Sequence, residues 1–413
     1  MASRASRKGD NGCDPVRAPW VLVAGGFHRH GGMDKANAAL AAYLLERQTP
    51  LHLVAHQVDP ELCEHPGATV HLVPRPLGSF FLGEWPLERR GRSVARDVTA
   101  RWPGTRVLVN GGCCDWPDIN WVHCVHHAWR CHDRGIPPWL QVKNRLIKSW
   151  ARRRERSVIR RARVVLANSE RTRRDLAQYL GLASGGVHVV YPGTDPAWGP
   201  ATAEERAAAR SWLGRSPERP LVVFVGILGG EGHKGFDTLW SAWRALCIRP
   251  DWDADLIVAG GGSGLGRLRR EVAAARLEDR VHLLGFTHRV AELLAAADLL
   301  VSPARYEAFG LNVQEAICRG VPALVTSSAG VAERYPSDLA DMMLPDPENV
   351  DDLVARLLRW RSSIDCWKDR FRPLATALRN YTWTDMASRI VSLAEESDTL
   401  LRPPPDAKLP PKE

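Results

Sequence analysis

The sequence lacks any long apolar segment. None of its apolar runs approaches the roughly 18 uninterrupted residues that a membrane-spanning helix requires. The first residues, Met1–Pro19, are polar and basic and do not contain the apolar stretch of a secretory signal. These absences predict a cytoplasmic protein without a spanning helix. Residues 1–18 and the proline-rich tail 401–413 are expected to be disordered.

Paired cysteine motifs are also missing. The nine cysteines are scattered, and apart from the adjacent Cys113 and Cys114 they form no pattern. An odd count without an export signal favours reduced thiols in the cytosol. A metal site formed by Cys113, Cys114, Cys124, Cys131 and nearby histidines is the alternative, but the spacing does not support it.

The common nucleotide-binding motifs are absent as well. No glycine-lysine pair is followed by serine or threonine, which excludes a P-loop. The glycine-rich stretch Gly260–Gly264 does not fit the dinucleotide fingerprint, because Leu265 occupies the place of the third glycine. ATP and NAD are therefore poor candidates for the ligand.

What the chain does contain is a repeated α/β pattern. At 413 residues it is long for one hydrophobic core, so two domains are expected. Short apolar runs alternate with helical periodicity, as in parallel α/β structure. The alternation stops at the turn-rich stretch Pro192–Pro196 and then restarts. This predicts two Rossmann-like, doubly wound domains, residues 19–192 and 193–383, which face each other across a cleft.

The charge is unevenly distributed. The formal net charge is +9, and a basic run with a single acid extends from Lys143 to Arg163. Its apolar residues recur at helical spacing, so this segment could lie on an anionic membrane surface as a basic amphipathic helix. The alternative is a solvated helix face that packs on its own domain. Nucleic acid is not expected, because aromatic residues are not interleaved with the basic ones in a recognisable module.

The most informative segment is Arg305–Glu315. It follows an apolar run that predicts a strand, and the pattern becomes helical after Gly310. Glu307 is therefore expected in the loop, and Glu315 one to two turns into the helix. The helix start between them offers unpaired N–H groups that suit a phosphate, while carboxylates accept hydrogen bonds from sugar hydroxyls. This combination fits a nucleotide-sugar.

Three further loops follow predicted strands and should line the same cleft. One contains Gly31 and Gly32 before a helix, which is either an anion site or a tight turn. Another contains Lys234, either a diphosphate ligand or an ordinary surface lysine. The third contains three histidines: His123 is expected in the core, and His126 is expected to position an acceptor hydroxyl or support charge at the reacting centre.

Together these motifs resemble the retaining glycosyltransferases of family 4, which have the two-domain GT-B fold. The resemblance covers about Trp20 to Glu396. It rests on Gly31-Gly32, the stretch Ala167–Leu176, Tyr191–Asp195, Lys234–Leu239 and the pair Glu307 and Glu315, which seven residues separate.

The resemblance implies a role for each motif. Glu315 would bind the donor ribose, and Glu307 the donor hexose. Lys234 would neutralise the diphosphate opposite Gly32, and His126 would lie beside the transferred sugar. The catalytic residues so implied are His126, Lys234 and Glu307, and the donor-binding residues are Gly31, Gly32, Lys234, Phe286, Glu307, Phe309, Gly310, Leu311, Asn312 and Glu315. A helix at 384–400 would cross back onto the first domain.

One position departs from the family. An arginine usually follows the Val-Gly pair after the first strand of the second domain, and here Ile227 stands in its place. Arg305 and His233 are the two candidates to replace this second phosphate-binding cation. Proline is common where Asn312 stands, which is a mild change.

The resemblance also implies an activity. It predicts retaining, front-face transfer of a hexosyl group, such as mannose or glucose, from a UDP- or GDP-sugar to a glycan, lipid or small-molecule hydroxyl. No Asp-x-Asp motif follows a suitable strand, so neither a metal nor another cofactor is expected. The alternatives are a catalytically silent nucleotide-sugar-binding protein and a scaffold on the inner face of a membrane.

Overall fold

The computed structural model describes residues 17–129, 138–229 and 232–399. Most of the N-terminal segment, Cys131 and the tail 401–413 lie outside the described residues. None of the helices in this part of the chain is long and apolar enough to cross a bilayer.

The first domain is built on a fully parallel sheet. Its strands are β1 (Trp20–Val23), β2 (Gly26–Phe27), β3 (Leu51–Ala55), β4 (Gln57–Val58), β5 (Ala68–Leu72), β6 (Arg106–Asn110), β7 (Ile119–Val122), β8 (Val164–Ala167) and β9 (Val187–Val189). Seven of these pair in the order β5-β3-β1-β6-β7-β8-β9, and β2 pairs separately with β4. The central strands are buried on both faces, which explains their continuous apolar runs.

Helices cover both faces of this sheet. They are α1 (Gly32–Glu46), α2 (Pro60–Cys63), α3 (Phe80–Arg101), α4 (Pro138–Ile159) and α5 (Glu170–Asp175). The strand order reverses between β1 and β6, so the loop after β1 lies at the switch point where such folds bind ligands.

The second domain repeats the plan. Its strands are β10 (Leu221–Val225), β11 (Asp255–Ala259), β12 (Val281–Gly285), β13 (Leu299–Ser302), β14 (Ala323–Thr326) and β15 (Met343–Leu344), parallel and in the order β12-β11-β10-β13-β14-β15. Its helices are α6 (Ala203–Trp212), α7 (Phe236–Cys247), α8 (Leu265–Ala274), α9 (Val290–Ala296), α10 (Leu311–Cys318), α11 (Val350–Arg361) and α12 (Ile364–Arg379).

A last helix, α13 (Trp383–Thr399), leaves the second domain and packs against α1 and β8 of the first. Its residues Met386, Ala387, Ile390 and Ala394 are fully buried in the core of the first domain. The chain therefore crosses between the domains twice. The loops after β1, β7, β10 and β13 meet in the cleft between the domains.

Candidate active site

Three helices begin at the cleft, and each begins directly after a glycine with positive φ. Gly31 (φ 81°) precedes α1, Gly235 (φ 67°) precedes α7, and Gly310 (φ 109°) precedes α10. A side chain at Gly235 could not be accommodated, because its Cβ would lie 1.8 Å from the carbonyl oxygen of Pro303. The unpaired N–H groups and positive dipole ends of these helices form a binding region for an anion.

The starts of α1 and α10 come from different domains and face each other. A Cβ built on Gly32 would lie 3.6 Å from the Cβ of Leu311. The structure therefore brings Gly31 and Gly32 together with Gly310 and Leu311 across the cleft. Two helix dipoles converge there, which is where a diphosphate would be stabilised.

Glu307 is paired with Lys234. The Nζ of Lys234 donates to the Oε2 of Glu307 at 2.5 Å, and both side chains are mostly buried. Asn312, the second residue of α10, is also held in place: its side-chain amide donates to the carbonyl oxygen of Val225 at 2.9 Å. This bond fixes the start of α10 against the end of β10.

Glu315 is paired with a lysine of the other domain. The Nζ of Lys35, on α1, donates to the Oε1 of Glu315 at 2.5 Å. Burial raises the pKa of Glu315, and the charge of Lys35 opposes that rise. Lys35 could not be recognised as a site residue from local sequence, because its partner is 280 residues away in the chain.

Glu155 of α4 holds two histidines of the loop after β7. Its Oε1 accepts from the backbone N–H of His126 at 2.9 Å and from its Nδ1 at 3.1 Å, and its Oε2 accepts from the Nδ1 of His127 at 3.0 Å. Because a carboxylate only accepts, both rings carry their proton on Nδ1, and their Nε2 atoms are left for other partners.

Burial raises the pKa of Glu155, but the hydrogen bonds and charge of His126, together with the bond from His127, outweigh it and hold this pKa below its usual range. Sequence reasoning missed Glu155. The available signal was that it is the single acid between Lys143 and Arg163. His123, by contrast, is half-buried: its ring packs on Trp121, and burial lowers its pKa to about 3.

Neither candidate for the missing cation is suitable. The guanidinium of Arg305 is almost fully buried and is bound by Asp237 and Glu348, with N–O distances of 2.6, 2.8 and 2.9 Å. Burial and the nearby charge of Lys234 lower the pKa of His233 to about 4, so this ring is neutral at physiological pH. Neither side chain therefore offers an unpaired positive charge in place of the arginine expected at Ile227.

An aromatic group spans the cleft near His126. The rings of Trp129 and Tyr306 are nearly parallel with centroids 6.4 Å apart, and Trp129 also contacts His233 and the ammonium of Lys148. The N–H of Val125 donates to the Tyr306 hydroxyl at 2.8 Å. These residues were not predicted, although Tyr306 lies within the Arg305–Glu315 segment.

The remaining predicted residues differ in exposure. Phe309 is buried and packs near Tyr191, so only its backbone can contact a ligand in the cleft. Phe286 is 70% exposed and contacts His288, whose Nδ1 lies 3.3 Å from that of His30 in the first domain. Phe286 is therefore at the mouth of the cleft, beside the loop that precedes α1.

Two of the cysteines considered as metal ligands, Cys113 and Cys114, belong to a hydrophobic core. Cys114 is fully buried with residues of β1, β3 and β6, and the thiol of Cys113 donates to the carbonyl oxygen of Val23. Within the described ranges, no three His, Cys, Asp or Glu side chains are grouped so that they could hold a metal ion.

Most of the chain is similar to known proteins. The model of the family described as Glycosyltransferase Family 4 matches residues 30–198, and that described as Glycosyl transferases group 1 matches residues 205–365. The chain is 27% identical over 277 residues to the D-inositol 3-phosphate glycosyltransferase of Jonesia denitrificans, covering 62% of this chain and 63% of that protein. It is 33% identical over 211 residues to the lipopolysaccharide core biosynthesis mannosyltransferase LpsB of Rhizobium meliloti, covering 47% and 55%.

A solved structure shows the same architecture. The sucrose-phosphate synthase from Thermosynechococcus elongatus superposes with a TM-score of 0.71 at 19% identity, covering 93% of this chain and all of that one. The two facing parallel-sheet domains, with helix starts converging between them, define a GT-B fold. The chain belongs to glycosyltransferase family 4.

Proposed function

We propose that the protein is a retaining, metal-independent hexosyltransferase. It moves a hexosyl group, mannose, glucose or similar, from a UDP- or GDP-sugar to a hydroxyl of a glycan, lipid or small molecule. The supporting observation is the convergence of two helix starts from opposite domains beside the Lys234–Glu307 pair. The relatives described above, a mannosyltransferase and a D-inositol 3-phosphate glycosyltransferase, support this class of reaction.

Each part of the donor has a binding group in this proposal. The ribose hydroxyls bind Glu315, and the diphosphate lies between the starts of α1 and α10 with Lys234 as counter-charge. The hexose binds Glu307 and the backbone of residues 309–311, and the nucleobase lies towards Phe286. The lysine and the helix amides neutralise the diphosphate, which is the task a divalent metal performs in other sites.

Transfer occurs on one face of the sugar. The bond from the anomeric carbon to the diphosphate oxygen breaks while the acceptor oxygen bonds to the same carbon from the same side. The departing diphosphate oxygen takes the acceptor's proton. His126 contributes an Nε2 beside the transferred sugar, held in place by Glu155. Closing of the two domains excludes water and so suppresses hydrolysis of the donor.

A donor screen tests this function. At a concentration 100 times its Kd, the correct nucleotide-sugar stabilises the fold by about 2.7 kcal/mol, which thermal-shift measurements over UDP- and GDP-linked hexoses detect. We expect a shift with one of the two nucleotides, and product formation that EDTA does not reduce. Binding without turnover across an acceptor panel would instead favour a silent binding protein, and loss of turnover in EDTA would contradict metal independence.

We also propose an anionic membrane surface as a partner, bound through α4. One face of this helix, with Arg152 and Glu155, holds the histidine loop. The residues Val142, Leu146 and Trp150, spaced four apart, are exposed. Of the thirteen large apolar side chains exposed among the described residues, six lie on α3 and α4: Phe81, Leu82, Trp85, Val142, Leu146 and Trp150. Phe81 contacts Trp150 edge to face, so the two helices form one surface.

Vesicle binding tests this partner. We expect the protein to sediment with vesicles containing anionic phospholipid and to be released by salt. Burial of one large apolar side chain is worth about 1.5–3 kcal/mol, so Leu146→Ser should weaken binding roughly tenfold or more. Ile248→Ser is the matched control, because Ile248 is 85% exposed but lies on the second domain. Equal binding by both variants would identify the face of α4 as ordinary solvated surface.

A further inference from the structure

The donor site has one cation fewer than the family resemblance implies. Ile227 supplies none, Arg305 is bound by two carboxylates, and His233 is neutral. A nucleotide-sugar carries two phosphate charges, and a third negative charge develops as the sugar leaves. Lys234 provides one positive charge against these.

Lys35 lies where a second cation is needed. It is three residues after Gly32 on α1, so the two positions share a face of that helix. Glu315 is four residues after Leu311 on α10, so these two also share a face. Because Gly32 and Leu311 meet across the cleft, the Lys35–Glu315 pair lies one turn behind the two converging helix starts.

The surroundings of Lys35 strengthen its electrostatic effect. Its side chain is 23% exposed, and its Nζ lies 5.2 Å from the ring centroid of Trp198 in the connection between the domains. Limited solvent around an ammonium makes its attraction for an anion stronger than at an open surface. Lys148 is another lysine near the cleft. Its ammonium lies over the ring of Trp129, which contacts His233, so Lys148 is placed near the histidine loop after β7 and not near the start of α1.

We propose that Lys35 is the second diphosphate-binding cation of the donor site. It takes the role of the arginine that is absent at position 227, where this chain has isoleucine. This inference rests on the proposed nucleotide-sugar function. The ammonium has three N–H donors. It can keep one bond to Glu315 and donate another to a phosphate oxygen. The flexible four-carbon stem of lysine allows this small movement.

The test separates phosphate binding from nucleoside binding. Calorimetry measures the affinity of the wild type and of Lys35→Met for UDP and GDP, and for uridine and guanosine. We expect the variant to bind the preferred nucleoside diphosphate at least tenfold more weakly and the nucleoside no more weakly. Arg29→Gln is the matched control, because Arg29 is an exposed cation of the loop that precedes α1, paired with Glu61, and its removal should change neither affinity.

Three outcomes would overturn the inference. Equal diphosphate affinity in wild type and variant would show that Lys35 does not contact the phosphates. Tighter binding of both ligands by Lys35→Met would show that the lysine only obstructs Glu315. If the wild type binds neither UDP nor GDP, the proposed function itself fails. Should Lys35→Met not fold, Lys35→Gln removes the charge while keeping a donor for Glu315, and the same outcomes apply.

Discussion

The Lys234→Ala variant is expected to turn over roughly 100 to 1000 times more slowly than the wild type, which is the usual cost of removing one donor that stabilises a developing oxyanion. Lys234 lies two residues before the start of α7, and its Nζ is 2.5 Å from the Oε2 of Glu307, so its charge faces the leaving group in the proposed site. Steady-state measurement of nucleoside diphosphate release gives the effect on kcat.

Folding should be little affected, since the side chain of Lys234 is 25% exposed and water can solvate part of what the substitution uncovers. Lys368→Ala is the matched control, because Lys368 also forms a lysine–carboxylate pair, with Asp298, at the opposite side of the second domain. A Lys234→Ala enzyme with wild-type kcat would remove this residue from the mechanism.

The second large effect is expected from Glu155→Ala, which should lower kcat by roughly 100-fold or more, within the range of a positioned acid–base group. The variant removes the only carboxylate that accepts from both Nδ1 atoms of His126 and His127 in the described structure. Both rings then lose the bond that fixes their orientation and tautomer. Kinetics at saturating donor isolate this effect from binding.

Asp255→Asn distinguishes positioning from simple loss of a buried charge. Asp255 is also a buried carboxylate, paired with Arg219 at the start of β11, far from the histidines. The Asp255→Asn variant should have a lower melting temperature than the wild type but an unchanged kcat in its folded form. If Asp255→Asn and Glu155→Ala reduce kcat alike, Glu155 has no special role in positioning the histidines.

Because the pKa of Glu155 is shifted, we expect the stability of the protein to depend on pH. The folded-state pKa of this carboxylate is held below the ordinary 4.5 by the histidine hydrogen bonds, despite burial. Its contribution to stability is therefore fully present above pH 4.5 and is lost as the pH falls through the lowered pKa. Denaturant titrations should show the stability difference between wild type and Glu155→Gln shrinking below pH 4.5. A constant difference would contradict a lowered pKa.

Much of the fold follows from local pattern. The apolar run Leu221–Val225 forms a strand, and the amphipathic segment Phe236–Cys247 forms a helix, as their patterns indicate. Helix α12 is hard to predict from its pattern, because Pro373 lies inside it and proline normally ends a helix. Helix α6 also gives a weak periodic signal, since its apolar positions are mostly alanines.

The residues of the candidate site were likewise predictable only in part. Glu307, Gly310 and Glu315 could be placed from sequence because one strand–loop–helix unit contains them all. The partners that complete the site could not be predicted. Lys35 is 280 residues from Glu315, and Glu155 is 29 residues from His126. Such pairs depend on how the domains and helices pack, which local periodicity does not encode.

Helix α13 has a consequence for the order of events during synthesis. The first domain emerges from the ribosome first, yet one face of its core is covered by Met386, Ile390 and Ala394. That face therefore stays open to water, or to a chaperone, until almost all the described chain has been made. The second domain, whose core needs none of these residues, can fold before the first is complete. The core of the second domain is thus complete before that of the first, against the order of translation.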